Sequence, residues 1–197
     1  MRFKDLELGA DVGSVSAPFF TKEEATRIIE SANEPHKTIF AVAWSTGLRA
    51  GEILALTRDD IEFERKTIRV NKSSDDRTRK IRQPKTRNSV ATLPIPSALE
   101  ATLRSYIEHN WRKNATGLLF PTSDGKRPRT RKAVVKFGLK PLLRKLSIAD
   151  KDAGLHAFRH GLATELVEAS VPLTVLQRQL RHADVKTTLR VYAHAIP

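Results

Sequence analysis

Hydrophobic residues recur at helical spacing in two segments near the start of the chain. In "TKEEATRIIESAN", Thr21 is followed three residues later by Glu24, which is the capping-box pattern of a helix N-terminus. "PHKTIFAVAWSTG" is mostly apolar, with Pro35 where a helix can start and Gly47 where one can end. A short third helix is predicted from about Arg49 to Leu56. The first third of the fold is therefore predicted to be helical.

The pattern changes to alternating and β-branched residues in the middle of the chain. "KTIRVN", "RKIRQPK" and "SVATLPI" are separated by the polar stretches "SSDD" and "TRN", and they predict three strands of a small antiparallel sheet. Helical spacing then returns at about 96–110, 130–147, 156–169, 172–180 and 184–194. The predicted fold class is α+β, mainly α, with one small three-stranded sheet.

Composition limits the kind of protein this is. No apolar run approaches the roughly 18 residues that span a bilayer, and the N-terminus lacks the apolar stretch of a secretory signal. We therefore expect a cytoplasmic protein with no membrane partner. The chain has no cysteine, which excludes disulfides, a thiolate nucleophile and Cys-based zinc sites. Covalent chemistry would have to use an oxygen, a lysine or a histidine.

Charge is distributed unevenly. The chain has 35 Lys and Arg against 22 Asp and Glu, a formal net charge of +13. The excess lies in two basic segments, 64–87 and 125–149, whereas residues 1–60 hold more acidic than basic residues. Such patches favour a polyanionic partner. Because aromatic residues are sparse in both segments, stacking on single-stranded bases is not favoured, and double-stranded DNA is the predicted partner.

Two predicted helices carry candidate functional residues. Arg49 and Glu52 lie three residues apart in "TGLRAGEILAL", so a helix places them on one face, although the motif taken alone is better explained by a surface ion pair. In "LHAFRHGLATEL", His156 and Arg159 likewise share a face. His160 follows His156 at a metal-ligand spacing, but no glutamate lies between them and no cysteine lies nearby. No metal site is predicted.

Three further candidates are ambiguous when taken alone. Tyr192 lies on the apolar stripe of a predicted helix that Asp184 can cap, so periodicity by itself makes it a core tyrosine. His182 precedes that helix on a connection, where a histidine is more often exposed. Lys85 falls at or beside a tight turn between two predicted strands, among so many other cations that spacing does not single it out.

These stretches occur together in the order of a known enzyme family. Over residues 18–197, the chain resembles the catalytic domain of the tyrosine recombinases, the integrases of phages and mobile elements. The resemblance rests on "TGLRAGEILAL", "PKT" followed by "VATLPIP", the His-x-x-Arg of "HAFRH", and "LRHADVKTTLRVYAH", in which a histidine precedes a tyrosine by ten residues. Each motif is weak alone, and the set in this order is specific.

The resemblance implies a role for each candidate. Arg49 and Arg159 match the two arginines that clamp the phosphate, and Glu52 matches the acid that supports the first of them. His156 and His182 match the family's two histidines. Lys85 matches the hairpin lysine that protonates the leaving oxygen, and Tyr192 matches the nucleophile. Such an enzyme cleaves and rejoins DNA through a 3′-phosphotyrosyl intermediate and needs no metal, ATP or other cofactor. Replacement of the neighbouring Lys72 or Lys80 is expected to weaken DNA binding without affecting protonation of the leaving oxygen. Arg181 departs from the family, which commonly has a glycine before the histidine.

The resemblance also implies partners and alternatives. Full-length recombinases form tetramers on recombining sites; because only residues 193–197 follow the tyrosine, the isolated chain is expected to be a monomer. Residues 1–17 are interpreted as a linker or the remnant of an upstream DNA-binding domain. The predicted setting is the nucleoid of a bacterial, archaeal or phage-infected cell. The alternatives are a nicking and sealing enzyme like the type IB topoisomerases, a DNA-binding module with a relic active site and, more distantly, a metal-dependent nuclease.

Overall fold

The computed structural model describes residues 18–83, 90–149 and 152–181. Its first three helices agree with the prediction: α1 (Lys22–Ser31), α2 (His36–Thr46) and α3 (Ala50–Leu54). The capping box of α1 is present, since the Thr21 hydroxyl accepts from the Glu24 amide at 3.2 Å and the Glu24 carboxylate accepts from the Thr21 amide at 3.0 Å. Gly47 ends α2 in the left-handed region, at φ 66°.

The later helices also lie where periodicity places them. They are α4 (Ser97–His109), α5 (Arg131–Ala133), a π-helical segment (Val134–Leu139), α6 (Lys140–Lys145), α7 (Leu155–Glu168) and α8 (Leu173–Leu180). The predicted helix at 184–194 lies outside the described residues. Among the helices that the structure describes, none is long and apolar enough to cross a bilayer.

A three-stranded antiparallel sheet is present, but its membership differs from the prediction. It consists of β1 (Ile61–Glu62), β2 (Thr67–Val70) and β5 (Ala91–Pro94), in the order β1-β2-β5. The described part of "RKIRQPK", residues 79–83, is not in this sheet. Its β4 (Ile81–Arg82) pairs instead with β3 (Ser73–Ser74) in a separate two-stranded ribbon. Both residues of β4 are exposed, whereas Ile61 of β1 is buried, so burial selects β1 for the sheet.

The core forms around α2 and α7, which pack against each other. The rings of Phe20 and Phe40 lie 4.9 Å and 5.3 Å from that of Phe158 on α7. A smaller apolar cluster joins the far end of α7 to α8 through Ala163, Val167, Leu176 and Leu180. The core thus fixes three segments that carry or adjoin predicted site residues relative to one another: the turn after α2, the first turn of α7 and the end of α8.

A buried carboxylate anchors the start of the sheet. Asp60 has no exposed side-chain surface; its carboxylate accepts from the Thr57 amide and hydroxyl at 2.8 Å and 2.7 Å, and its Oδ2 lies 2.6 Å from Lys72 Nζ. Lys72 is therefore held in an ion pair within the fold, so its replacement would disturb the structure as well as the expected DNA binding.

We expect Asp60→Ala to lower the free energy of unfolding by about 3 kcal/mol or more, because it removes the carboxylate that compensates the Lys72 ammonium and the Thr57 amide. Urea denaturation measures the change. Asp59→Ala is the matched control; Asp59 is exposed, and its loss should change stability by about 0.5 kcal/mol or less. Equal stabilities of the two variants would contradict this account.

Candidate active site

Arg49 and Glu52 are joined through both backbone and side chain. Arg49 is the residue before α3, and Glu52 reaches back so that its Oε2 accepts from the Arg49 amide at 2.9 Å. Glu52 Oε1 lies 3.3 Å from Arg49 Nη1. The Glu52 side chain is only 10% exposed, whereas that of Arg49 is 44% exposed. The carboxylate therefore holds one edge of a guanidinium that still reaches solvent.

Arg159 connects two elements from inside the protein. It lies on α7 and is buried, and its guanidinium donates through Nη1 to the Gly47 carbonyl and through Nη2 to the Leu180 carbonyl. Burial lowers the pKa of Arg159 to about 10, and the neighbouring Arg49 adds to this effect. The guanidinium remains charged at neutral pH. Because it has five N–H donors, the two carbonyls do not exhaust it.

The end of α8 is held against the turn between α2 and α3. Besides the Arg159 bridge, Arg49 Nη2 donates to the Arg181 carbonyl at 3.3 Å and Gln179 Nε2 donates to the Thr46 carbonyl at 3.4 Å. A Cβ on Gly47 would lie 2.8 Å from a methyl carbon of Leu180, so glycine at this position permits close approach as well as the positive φ. We call this set of contacts, formed by residues 46–49, 159 and 179–181, the clasp.

Arg181 is the residue of the clasp whose contacts the sequence did not predict. Its Nη1 lies 3.1 Å from Glu52 Oε1, the same oxygen that Arg49 contacts, and its side chain is 12% exposed. The carboxylate of Glu52 therefore contacts the guanidinium groups of Arg49 and Arg181, and it also interacts electrostatically with Arg159. Nothing local could have shown this contact, because Glu52 and Arg181 lie in opposite halves of the chain.

His156 lies beside this cluster on the first turn of α7. It is an exposed residue, and it borders a cavity of about 500 Å³ that Arg131, Lys132, Lys140 and His160 also line. Desolvation lowers the pKa of His156, and so do the nearby His160, Arg131, Arg159 and Arg49. A neutral imidazole at pH 7 can donate one hydrogen bond and accept another.

The two basic segments meet in space. Arg79 on the turn between β3 and β4 donates to the Pro128 carbonyl at 3.2 Å, and the Arg131 amide donates to Asp76 in that turn. The ribbon also packs directly on α3, since a Cβ on Gly51 would lie 2.6 Å from the Ser73 hydroxyl. One continuous region therefore carries cations from both segments and adjoins Arg49.

Three of the predicted site residues lie outside the described residues: Lys85, His182 and Tyr192. The last described residue before Lys85 is Gln83, which follows β4, and the last described residue before His182 is Arg181, in the clasp. In the part of the chain that the structure describes, no group of three or more His, Asp or Glu side chains is placed to hold a metal ion.

Comparison with known proteins places this arrangement in a family. The sequence profile of the phage integrase family matches residues 18–197. The chain belongs to that family. It is 31% identical to a XerC-like tyrosine recombinase of Caldanaerobacter subterraneus over 90% of the chain and 50% of that protein. A probable integrase/recombinase of Methanocaldococcus jannaschii is also 31% identical, over 86% of the chain and 49% of that protein.

The fold agrees with solved integrase structures. The Tn1549 transposon integrase in complex with a circular intermediate DNA superposes with a TM-score of 0.78 at 24% identity, over 94% of this chain and 65% of that one. This likeness confirms the predicted fold class. The integrase-family chain spans about half the length of the curated relatives that it matches.

The histidines of this integrase-family chain predict a pH-dependent stability. The pKa values of His36, His156 and His160 are all lowered, and in each case desolvation by burial is the largest cause. Between their lowered values and the ordinary value of about 6.5, the unfolded chain binds more protons than the folded one, so folding loses stability as pH falls. We expect the urea midpoint to decrease from pH 7.5 to 5.5 and His160→Gln to flatten the slope. A midpoint that stays level or rises over this range would contradict it.

Proposed function

We propose that this chain cleaves and rejoins duplex DNA as the catalytic part of a site-specific recombinase. The observation that carries the proposal is the clasp, which gathers Arg49 and Arg159 beside a buried carboxylate. Guanidinium groups are planar, permanently charged and able to donate two parallel hydrogen bonds, which suits the non-bridging oxygens of a phosphodiester. The relatives named above are recombinases and integrases, and none supports the topoisomerase-like alternative.

Each group has a defined task in the proposed reaction. The Tyr192 oxygen attacks the scissile phosphorus and forms the P–O bond of a 3′-phosphotyrosyl link while the bond from phosphorus to the 5′-oxygen breaks. His156 or His182 accepts the tyrosine proton, and Lys85 gives a proton to the leaving 5′-oxygen. Arg49 and Arg159 stabilise the charge that develops on the phosphate, at roughly 3 kcal/mol each. Attack by another 5′-hydroxyl reverses the step and joins a new partner strand without ATP.

DNA binding is proposed to be mainly electrostatic. The two basic segments adjoin each other, and they supply the cations that would track a duplex backbone. Without the rest of a full-length recombinase, this surface would hold DNA with weak sequence selectivity and with an affinity that falls steeply as salt rises.

The proposal extends to assembly and domain organisation. Residues 18–197 would form the catalytic domain, with residues 1–17 as a linker or remnant of a DNA-binding domain. The isolated chain would be a monomer, and the full-length protein would form a tetramer on recombining sites. Sedimentation of the chain without DNA tests the monomer.

The test of function uses a pool of nicked duplexes with randomised sequence on the 5′ side of the nick. Cleavage a few nucleotides from the nick releases a short 5′-hydroxyl fragment and leaves the protein on the 3′-phosphate. Adducts that survive denaturant are isolated and sequenced, and a duplex chosen from them, called here the selected duplex, serves in the later experiments. The whole selection is run with excess EDTA.

The outcomes separate the candidate functions. A covalent adduct formed in EDTA supports the proposal. Cleavage that EDTA abolishes would indicate a metal-dependent nuclease, and binding without any adduct would indicate a relic site. Relaxation of supercoiled plasmids that lack the selected sequence, at a rate equal to that with it, would favour a topoisomerase-like enzyme.

A further inference from the structure

Arg181 has a backbone conformation that its residue type disfavours. It ends α8 at φ 54° and ψ 44°, the left-handed region in which glycine is the default residue. This explains structurally why glycine suits the position. An arginine that remains there despite the strain must be held by its surroundings.

Arg181 is held in place by contacts with Glu52 and with Arg49. The Arg181 side chain pairs with Glu52 Oε1 at 3.1 Å, and its own carbonyl accepts from Arg49 Nη2 at 3.3 Å. The other Glu52 oxygen accepts from the Arg49 amide at 2.9 Å. Arg181 therefore acts on Arg49 twice, directly through its carbonyl and indirectly through the carboxylate that both arginines share.

Sharing the carboxylate has an electrostatic consequence. Glu52 Oε1 contacts two guanidinium groups at once, with Arg49 Nη1 at 3.3 Å and Arg181 Nη1 at 3.1 Å. If Arg181 lost its charge, Glu52 would pair with Arg49 alone, drawing that guanidinium inward and leaving less of its charge available to a phosphate. The Arg181 head group is largely enclosed, so a DNA phosphate would meet Arg49, which is more exposed.

We propose that Arg181 is a positioning residue for DNA cleavage: by sharing Glu52, it keeps the Arg49 guanidinium oriented outward, where its charge can meet the scissile phosphate. This inference rests on the function proposed above. It differs from a purely structural role, in which Arg181 would only end α8, and from a DNA contact, in which its own charge would bind phosphate.

The test measures the cleavage rate at saturating selected duplex separately from the dissociation constant. In Arg181→Met and Arg181→Gly, we expect the rate to fall by about 30-fold to 100-fold, as misplacement of a catalytic group does, with little change in affinity. Arg181→Lys should recover much of the rate. Arg181→Gly should melt no lower than the parent, because glycine suits the positive φ. Arg178→Met, an exposed arginine on the same helix, should keep the parental rate.

Coupling to Glu52 completes the test. The combined variant Arg181→Met with Glu52→Gln should be no slower than Glu52→Gln alone, because both changes disrupt one contact. A parental rate in Arg181→Gly would show that Arg181 only ends the helix, and a loss confined to affinity would make it a DNA contact; either result overturns the inference while the function stands. If the unaltered chain forms no adduct, the proposed function itself fails.

Discussion

Arg159→Ala is expected to reduce the rate of covalent adduct formation on the selected duplex by about 100-fold to 1,000-fold, the effect of removing one hydrogen-bond donor from a transition state. The same change leaves the Gly47 and Leu180 carbonyls without their donor, so the free energy of unfolding should fall by about 2 kcal/mol. Single-turnover kinetics with saturating DNA and urea denaturation measure the two effects independently.

Arg159→Lys separates charge from geometry. An ammonium keeps the positive charge but cannot span two carbonyls and a phosphate as a planar guanidinium does. This variant should bind DNA with nearly parental affinity and still cleave slowly. If Arg159→Ala cleaves within tenfold of the parent while remaining folded, Arg159 does not stabilise the transition state, and the role assigned to the clasp is wrong.

Lys85→Ala is expected to slow cleavage of ordinary DNA by about 100-fold to 10,000-fold, the range for loss of a general acid. A 5′-alkoxide is a poor leaving group, because its conjugate acid is about as weak an acid as bulk water. A thiolate leaves unaided, since the pKa of a thiol is about 8.5. Replacing the bridging 5′-oxygen by sulfur should therefore restore most of the rate to Lys85→Ala, measured as adduct formed on the two duplexes.

The structure decides which lysine is the control for this experiment. Lys72 is unsuitable because it pairs with the buried carboxylate of Asp60. Lys80 is exposed on the ribbon, so Lys80→Ala should weaken DNA binding. Replacing the bridging oxygen by sulfur should not selectively restore adduct formation in this variant. If sulfur rescues Lys80→Ala instead of Lys85→Ala, the acid is Lys80.

Local signals account for the parts of the fold that the sequence predicted correctly. The box formed by Thr21 and Glu24 and the glycine at position 47 act on the residues next to them, so they can be read in a short window. The sheet was assigned incorrectly in part because β1 has only two residues, too few for an alternating pattern. Its membership depends on the burial of Ile61, which is a tertiary property.

The candidate site likewise combines a contact that the local sequence predicts with contacts that only the folded structure shows. Arg49 and Glu52 are three residues apart, and helical geometry alone predicts that they meet. The contacts of Arg159 with the Gly47 and Leu180 carbonyls connect distant segments, and so does the contact of Arg181 with Glu52. Family resemblance identified Arg159 as a site residue, but it identified Arg181 only as a departure. The geometry of the clasp explains what an arginine can do there.

Mapping the residue that carries the DNA tests the central claim most directly. The chain has two tyrosines. The Tyr106 hydroxyl donates to the Leu119 carbonyl at 3.0 Å, and burial raises the pKa of Tyr106 to about 12, so it is poorly suited to attack a phosphate. Trypsin should release the other tyrosine in the terminal peptide "VYAHAIP".

The adduct on the selected duplex is digested with trypsin and nuclease, and the nucleotide-bearing peptide is sequenced by mass spectrometry. The proposed mechanism predicts a nucleotide on Tyr192, no adduct from Tyr192→Phe despite retained DNA binding, and a normal adduct from Tyr106→Phe. A nucleotide on any other residue, or an adduct that persists in Tyr192→Phe, would contradict the assignment of Tyr192 as the nucleophile.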